Sequence, residues 1–116
     1  MKNNLNFGTL IEKDIDKNYF HTGTKFQKLV WNEIAKIPKG KILTYEQLAL
    51  KINRPLSIRA VANACGKNPY APEIPCHRVV RKDGSLGGYS AKGGINRKKK
   101  LLENEGHRFV KDKIIF

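Results

Sequence analysis

Acidic residues are scarce in this chain. Ten Asp and Glu stand against 23 Lys and Arg in 116 residues, a formal net charge of +13 with the three histidines neutral. A field of that sign argues against basic partners and favours polyanions, with binding that weakens as salt rises. A lysine-rich solubilising surface would give the same imbalance, so charge alone selects no function. Long apolar runs are also missing. None approaches the roughly 20 residues of a membrane span, and no apolar secretory segment follows Met1-Lys2-Asn3-Asn4. A cytoplasmic chain with no membrane partner is expected. Cysteine occurs only at Cys65 and Cys76. With His77 they lack the paired spacing of a zinc site, so no metal is expected. A disulfide is not expected in a reducing compartment. His21 and His107 read as ordinary surface histidines. Gly and Pro are too few for a low-complexity chain. The length suits one domain whose core needs no disulfide or metal.

Apolar spacing orders that domain. Residues 1–22 read as a short N-terminal segment, in which Leu5, Phe7, Thr9 and Ile11 alternate like one strand. Thr24 with Gln27 three residues on forms a capping box. Phe26, Leu29, Val30, Ile34 and Ile37 then recur at helical spacing up to the Pro38-Lys39-Gly40 turn, with Trp31 as core. Thr44 and Gln47 repeat the device before a short helix through Tyr45, Leu48, Ala49 and Ile52. Asn53-Arg54-Pro55 breaks it, and a third helix follows from about Leu56 to Lys67. Two short helices joined by a tight turn form a helix-turn-helix pattern. Val79-Val80, Lys82-Asp83-Gly84-Ser85 and Leu86 read as a small hairpin or wing. A glycine-rich loop spans Gly87 to Gly94, and a last helix runs from about Ile95 to Glu105, capped by Gly106. The reading is a mainly α fold with a small β wing, a winged-helix-like helix-turn-helix module. Residues 108–116 form a basic, apolar tail with no clear pattern.

The segment Ile74-Pro75-Cys76-His77-Arg78-Val79-Val80 carries the chemistry. A nucleophile beside a base, with a cation next to them, is the composition of a reactive thiol. Proline fixes a non-helical entry and the valine pair reads as a short buried strand. Such a turn can hold a thiol in one orientation. Cys65, within Val61-Ala62-Asn63-Ala64, reads as a buried structural thiol.

The second helix of the pair is unusual for a major-groove reader, which carries several long polar side chains. Ala60, Ala62, Asn63 and Ala64 surround one Arg59. Small residues allow close approach to a narrow minor groove, although tight helix packing asks for the same residues. Arg59 must point outward.

In these blocks the chain resembles the O6-alkylguanine-DNA alkyltransferases, also called methylated-DNA–protein-cysteine methyltransferases. The resemblance rests on Ile74 to Val80, Tyr45-Glu46-Gln47-Leu48-Ala49, Arg59-Ala60-Val61, Gly66-Lys67-Asn68-Pro69, Gly88-Tyr89 and Leu101 to Gly106, in family order over roughly residues 24–107. It implies irreversible transfer of an alkyl group from guanine O6 to Cys76, with His77 as base through a water and Glu105 orienting that histidine. The reacting thiol is then expected to be acidified. Asn68 resembles the brace of the turn before the cysteine. Tyr45 resembles the donor to guanine N3, Lys98 the lysine assisting at O6. Tyr89, Ser90 and Pro69 resemble the substrate pocket. Arg78 reads as structural, tying the turn to neighbouring backbone. Arg59 resembles the finger that fills the stack when a nucleotide is turned out, with Tyr45, Ala60 and Asn63 also against DNA.

The resemblance further implies double-stranded DNA containing O6-alkylguanine as partner, no cofactor, a monomer and a nucleoid-associated location. Many relatives carry a separate N-terminal domain. Residues 1–22 are too few for one, so a minimal form is expected, with 23–116 as the DNA-binding and alkyl-acceptor domain. Three rivals are weighed. A sensor of the alkyltransferase-like class would have another residue in place of Cys76. A winged-helix regulator would carry more base-reading side chains than Arg59 and Asn63. A cysteine hydrolase would turn over repeatedly.

Overall fold

In a computed structural model, the structure describes Phe20 and residues 22–116. The strand expected over Leu5 to Ile11, and His21, lie outside the described residues. Helix α1 spans Lys25–Ile34, β1 Leu43–Thr44, α2 Tyr45–Lys51 and α3 Ile58–Gly66. One 3-10 turn, Cys76–Arg78, leads into β2 at Val79–Val80; α4 (Gly94–Asn104), β3 (Phe109–Val110) and β4 (Lys113–Ile114) follow.

Both capping boxes form. Thr24 Oγ1 accepts from the Gln27 amide at 3.0 Å while Gln27 Oε1 accepts from the Thr24 amide at 2.9 Å. Thr44 and Gln47 do the same for α2, at 3.1 and 2.9 Å. Each box satisfies two amides that a helix start otherwise leaves open. Thr44 therefore ends β1 and caps α2, so Tyr45 is the first residue of its helix.

Helix α1 buries Val30, Trp31 and Ile34 against α3. Each fully buried large apolar side chain contributes about 1.5–3 kcal/mol. Trp31 also donates from Nε1 to the Ala64 carbonyl at 2.8 Å, fixing α3 against α1. Leu29, counted in the apolar stripe, is instead 38% exposed. Its position falls at the edge of the buried face. Phe20 completes an aromatic cluster, its ring centroid 5.7 Å from that of Trp31 and 5.4 Å from that of Tyr70.

Pairing differs from expectation at two places. Val79-Val80 does not fold back toward Leu86; it pairs in parallel with β1, Leu43 beside Val79 and Thr44 beside Val80. Both valines are fully buried, which suits a parallel ladder covered on both sides. The hairpin is instead in the tail, where Phe109 pairs with Ile114 and Val110 with Lys113 in antiparallel register. Its two-residue turn places Lys111 and Asp112 at positive φ, 51° and 65°, the conformation that matches strand twist. The Ile114 amide donates to the Gly84 carbonyl at 2.8 Å, anchoring the hairpin on the loop after β2.

Helix α4 ends in a Schellman motif. The His107 amide donates to Leu102 and the Gly106 amide to Glu103, both at 3.0 Å, with Gly106 at φ +97°. That closure places Glu105 at the C-cap of the helix, where its carboxylate meets His77 and Arg78 of the active-site turn. No helix among the described residues is long and apolar enough to cross a membrane.

Candidate active site

The site is assembled around a single 3-10 turn. The Cys76 amide donates to Ile74 at 2.8 Å and the Arg78 amide to Pro75 at 2.9 Å. Asn68 braces the approach: its Nδ2 donates to the Ile74 carbonyl at 2.8 Å and its Oδ1 accepts from the Tyr70 amide at 2.9 Å. The same side chain hydrogen-bonds Cys76.

His77 and Arg78 both meet Glu105. The His77 Nε2 to Glu105 Oε2 distance is 2.9 Å. Arg78 donates Nε to Oε1 at 2.9 Å and Nη2 to Oε2 at 2.8 Å, a bidentate pair. Its Nη1 donates to the Ile37 carbonyl at 2.6 Å, so one guanidinium ties together the segment after α1, the active-site turn and the end of α4. The sequence reading placed Arg78 on backbone and missed its carboxylate partner. His77 Nδ1 is buried and makes no hydrogen bond among the described residues.

Charge states follow from this packing. Burial raises the Cys76 thiol, and the bond from Asn68 and the positive charge of Lys98 only partly offset it. The expected acidification is therefore absent in the resting site: Cys76 is a thiol at neutral pH. Burial also lowers His77, against the opposing pull of Glu105, so its imidazole is neutral. Burial acts on Glu105 in the raising direction, but the hydrogen bonds from Arg78 and His77 outweigh it and hold the carboxyl below its ordinary range. Cys65 is buried and free of disulfide, and burial pushes its thiol up to about 12.

Lys98 is buried, unlike its neighbour Lys100 in the basic run. Its Nζ donates to the carbonyl of Leu86, and at 3.4 Å to the Gly88 carbonyl and to the Tyr45 hydroxyl. Burial lowers its pKa to about 8. Burial raises the Tyr45 phenol, which stays protonated and can donate.

A groove of about 1050 Å³ runs beside this cluster, between α3 and the glycine loop. Tyr45, Arg59, Asn63, Tyr89 and Ser90 line it. Arg59 and Asn63 are exposed there, with Arg59 in no ion pair among the described residues. Ala60 is exposed on α3 but outside the lining, and Pro69 is exposed beyond it. Ser90 Oγ donates to the Gly66 carbonyl, joining the glycine loop to the end of α3. Cys76 is not among the lining residues and is almost fully buried. Lys67, Arg81 and Lys82 also line the groove and were not singled out from sequence. The described residues contain no cluster of three or more His, Cys, Asp or Glu able to hold a metal.

Residues 25–107 match the family model described as 6-O-methylguanine DNA methyltransferase, DNA binding domain. A methylated-DNA–protein-cysteine methyltransferase of Salmonella typhimurium is 46% identical over 85 residues, 73% of this chain and 48% of that protein. One from Mycobacterium bovis is 43% identical over 109 residues, 94% of this chain and 64% of that protein. The chain thus spans about half to two thirds of the length of these relatives. Among solved structures, Mycobacterium tuberculosis OGT in complex with DNA superposes with a TM-score of 0.69 at 48% identity, covering 72% of this chain and 50% of that one. Schizosaccharomyces pombe Atl1, in complex with damaged DNA containing O6-carboxymethylguanine, gives 0.67 at 28% identity, covering 77% of this chain and 82% of that one. With most of its described residues inside the matched model, the chain belongs to the family of the 6-O-methylguanine DNA methyltransferase DNA-binding domain.

Proposed function

We propose that this protein repairs DNA by direct reversal, moving the alkyl group of O6-alkylguanine onto Cys76 in a single turnover. The observation that carries the reading is the arrangement of Cys76, His77 and Glu105, in which a carboxylate holds a neutral imidazole beside a buried thiol. Because Glu105 is ionised and can only accept, the imidazole proton sits on Nε2 and leaves Nδ1 as the basic nitrogen. Nδ1 takes the thiol proton, through a bridging water, as Sγ attacks the alkyl carbon. The S–C bond forms, the C–O6 bond breaks, and its electron pair passes to the purine.

Guanine is a poor leaving group as an anion, so donors are needed at the moment of cleavage. The Tyr45 hydroxyl donates toward N3 and the Lys98 ammonium toward O6. N3 and O6 face opposite sides of the purine, so the Lys98 ammonium, 3.4 Å from the Tyr45 hydroxyl in the resting site, swings away from it to reach O6. The product thioether has no acidic proton and is a poor leaving group, so the protein is consumed. No cofactor or metal enters any step.

A stacked, paired guanine cannot reach a thiol that is almost fully buried. The nucleotide must be turned out, at a cost of a few kcal/mol. The exposed face of α3 suits the minor groove, with Arg59 entering the stack and Asn63 and Ala60 against the strands. Tyr89 and Ser90 border the extruded base. The likeness to Atl1 supports a second reading, a lesion-binding protein without transfer, and Cys76 is the residue that argues against it. Titration of lesion-bearing duplex with protein separates them. One guanine restored per protein molecule, and none by Cys76→Ser, is the expected result. Repeated turnover or no restoration would overturn the proposal.

A further inference from the structure

The parallel ladder has a consequence at the groove. Leu43 pairs with Val79 and Thr44 with Val80, so Tyr45 and Arg81 leave the ladder at the same level, side by side. Gly87 stands between their tips. A Cβ at Gly87 would lie 3.0 Å from the Tyr45 hydroxyl and 3.6 Å from Arg81 Nε. Its backbone, at φ +72°, also favours glycine. The missing side chain leaves a notch with a neutral donor on one side and a fixed cation on the other.

Arg81 is free to use that notch. Its backbone is held by bonds with Ser85 and Gly84, both at 2.9 Å. Its guanidinium makes no hydrogen bond or ion pair among the described residues, leaving its donors available. The neighbouring Asp83 accepts from the Ser85 amide at 2.9 Å and lies 3.9 Å from Lys113 Nζ, and Arg81 acts on it through space without a direct ion pair. Arg81 and Tyr45 both line the groove, together with two acids, Glu46 and Asp83, and three further cations, Arg59, Lys67 and Lys82. A cation facing such a groove with its donors unpaired is suited to an anion.

We infer that Arg81, across the Gly87 notch from Tyr45, holds the backbone phosphate of the nucleotide turned out into the groove. The inference rests on the repair reading and adds to it a residue that sets the efficiency of duplex repair. Tyr45 presses the phosphate out of line and Arg81 captures it in the rotated position. A fork of N–H donors suits phosphate oxygens, and the contact is charge-assisted. Arg59 fills the stack; Arg81 keeps the extruded strand from returning.

The test uses the full chain, a duplex with one O6-methylguanine, and copies of it carrying an uncharged methylphosphonate at single positions around the lesion. Arg81→Ala should slow transfer from the normal duplex about 10- to 100-fold and reduce the salt slope of binding by about one. Transfer from free O6-benzylguanine should stay within about twofold of wild type, because the base alone has no phosphate to hold. At one phosphate position the methylphosphonate should slow wild type to the rate of Arg81→Ala and add nothing to the variant. Arg81→Lys should recover part of the rate. Equal loss on duplex and free base, or additive losses at every phosphate position, would overturn the inference. If wild type binds with this phosphate pattern yet transfers nothing, the alkyl-transfer reading fails and this one stands.

Discussion

Glu105 Oε2 lies 2.9 Å from His77 Nε2, and this contact decides which nitrogen of the ring is the base. An ionised carboxylate cannot donate, so the ring proton faces Glu105 and Nδ1 carries the free lone pair. Arg78 keeps the carboxylate ionised by binding both its oxygens, at 2.9 and 2.8 Å. The resting thiol is raised by burial, so the site stores no thiolate. Thiol deprotonation and attack are therefore coupled, with the neutral imidazole ready to accept.

Glu105→Gln removes the charge and keeps the size. Transfer should fall about 100-fold, the range of losing an orienting acid–base partner. Stability changes with a defined sign. The folded carboxyl sits below its ordinary value of about 4.3, so its contribution is full above that value and is lost as pH falls through the lower folded one. Wild-type stability against urea should drop between about pH 5 and pH 3, and the Gln variant should show a flatter profile. An unchanged acid profile in the variant would remove Glu105 from this role.

The pH dependence of transfer should have two limbs. His77 is lowered by burial, so its neutral form persists below about 6.5 and activity should fall only beneath that. Lys98, at about 8, loses its proton as pH rises through that value, and the rate should decline with it. Lys98→Met should lower the plateau and abolish the alkaline limb. A wild-type rate that climbs steadily to pH 9, as thiol ionisation alone would give, contradicts a donating Lys98. Single-turnover rates from pH 5 to 9 decide it.

Much of this architecture was legible because its signals are local. Thr24 with Gln27, Thr44 with Gln47, and Gly106 after α4 each act within a few residues, and each forms as expected. The missed features join distant segments. The parallel pairing of Leu43-Thr44 with Val79-Val80 spans more than 30 residues, and two residues per strand carry no periodicity. The tail hairpin turns at Lys111-Asp112, without the Gly or Asn that marks such turns. Arg78 and Glu105 sit 27 residues apart, and charge pattern alone gave neither residue a partner. Lys98 looked like its neighbours in Arg97-Lys98-Lys99-Lys100, and only the resemblance set it apart. The helical face toward Tyr45 then buries it.

Arg59 offers a separate test of nucleotide extrusion. It projects from α3 with no ion pair among the described residues and faces the groove. Arg59→Ala should slow repair in duplex about 10- to 100-fold, since filling the vacated stack offsets an unstacking cost of a few kcal/mol. Transfer from the free base should be nearly unchanged. Matched rate measurements on both substrates check it, and equal slowing would point to a structural role.

The central claim is that Cys76 accepts the alkyl group. The direct measurement is peptide-resolved mass after incubation with a duplex containing one O6-methylguanine. One added methyl group is expected on the peptide carrying Cys76, none on that carrying Cys65, with unmodified guanine left in the DNA. Tight binding with no gain in mass, or a gain placed on another residue, would contradict it.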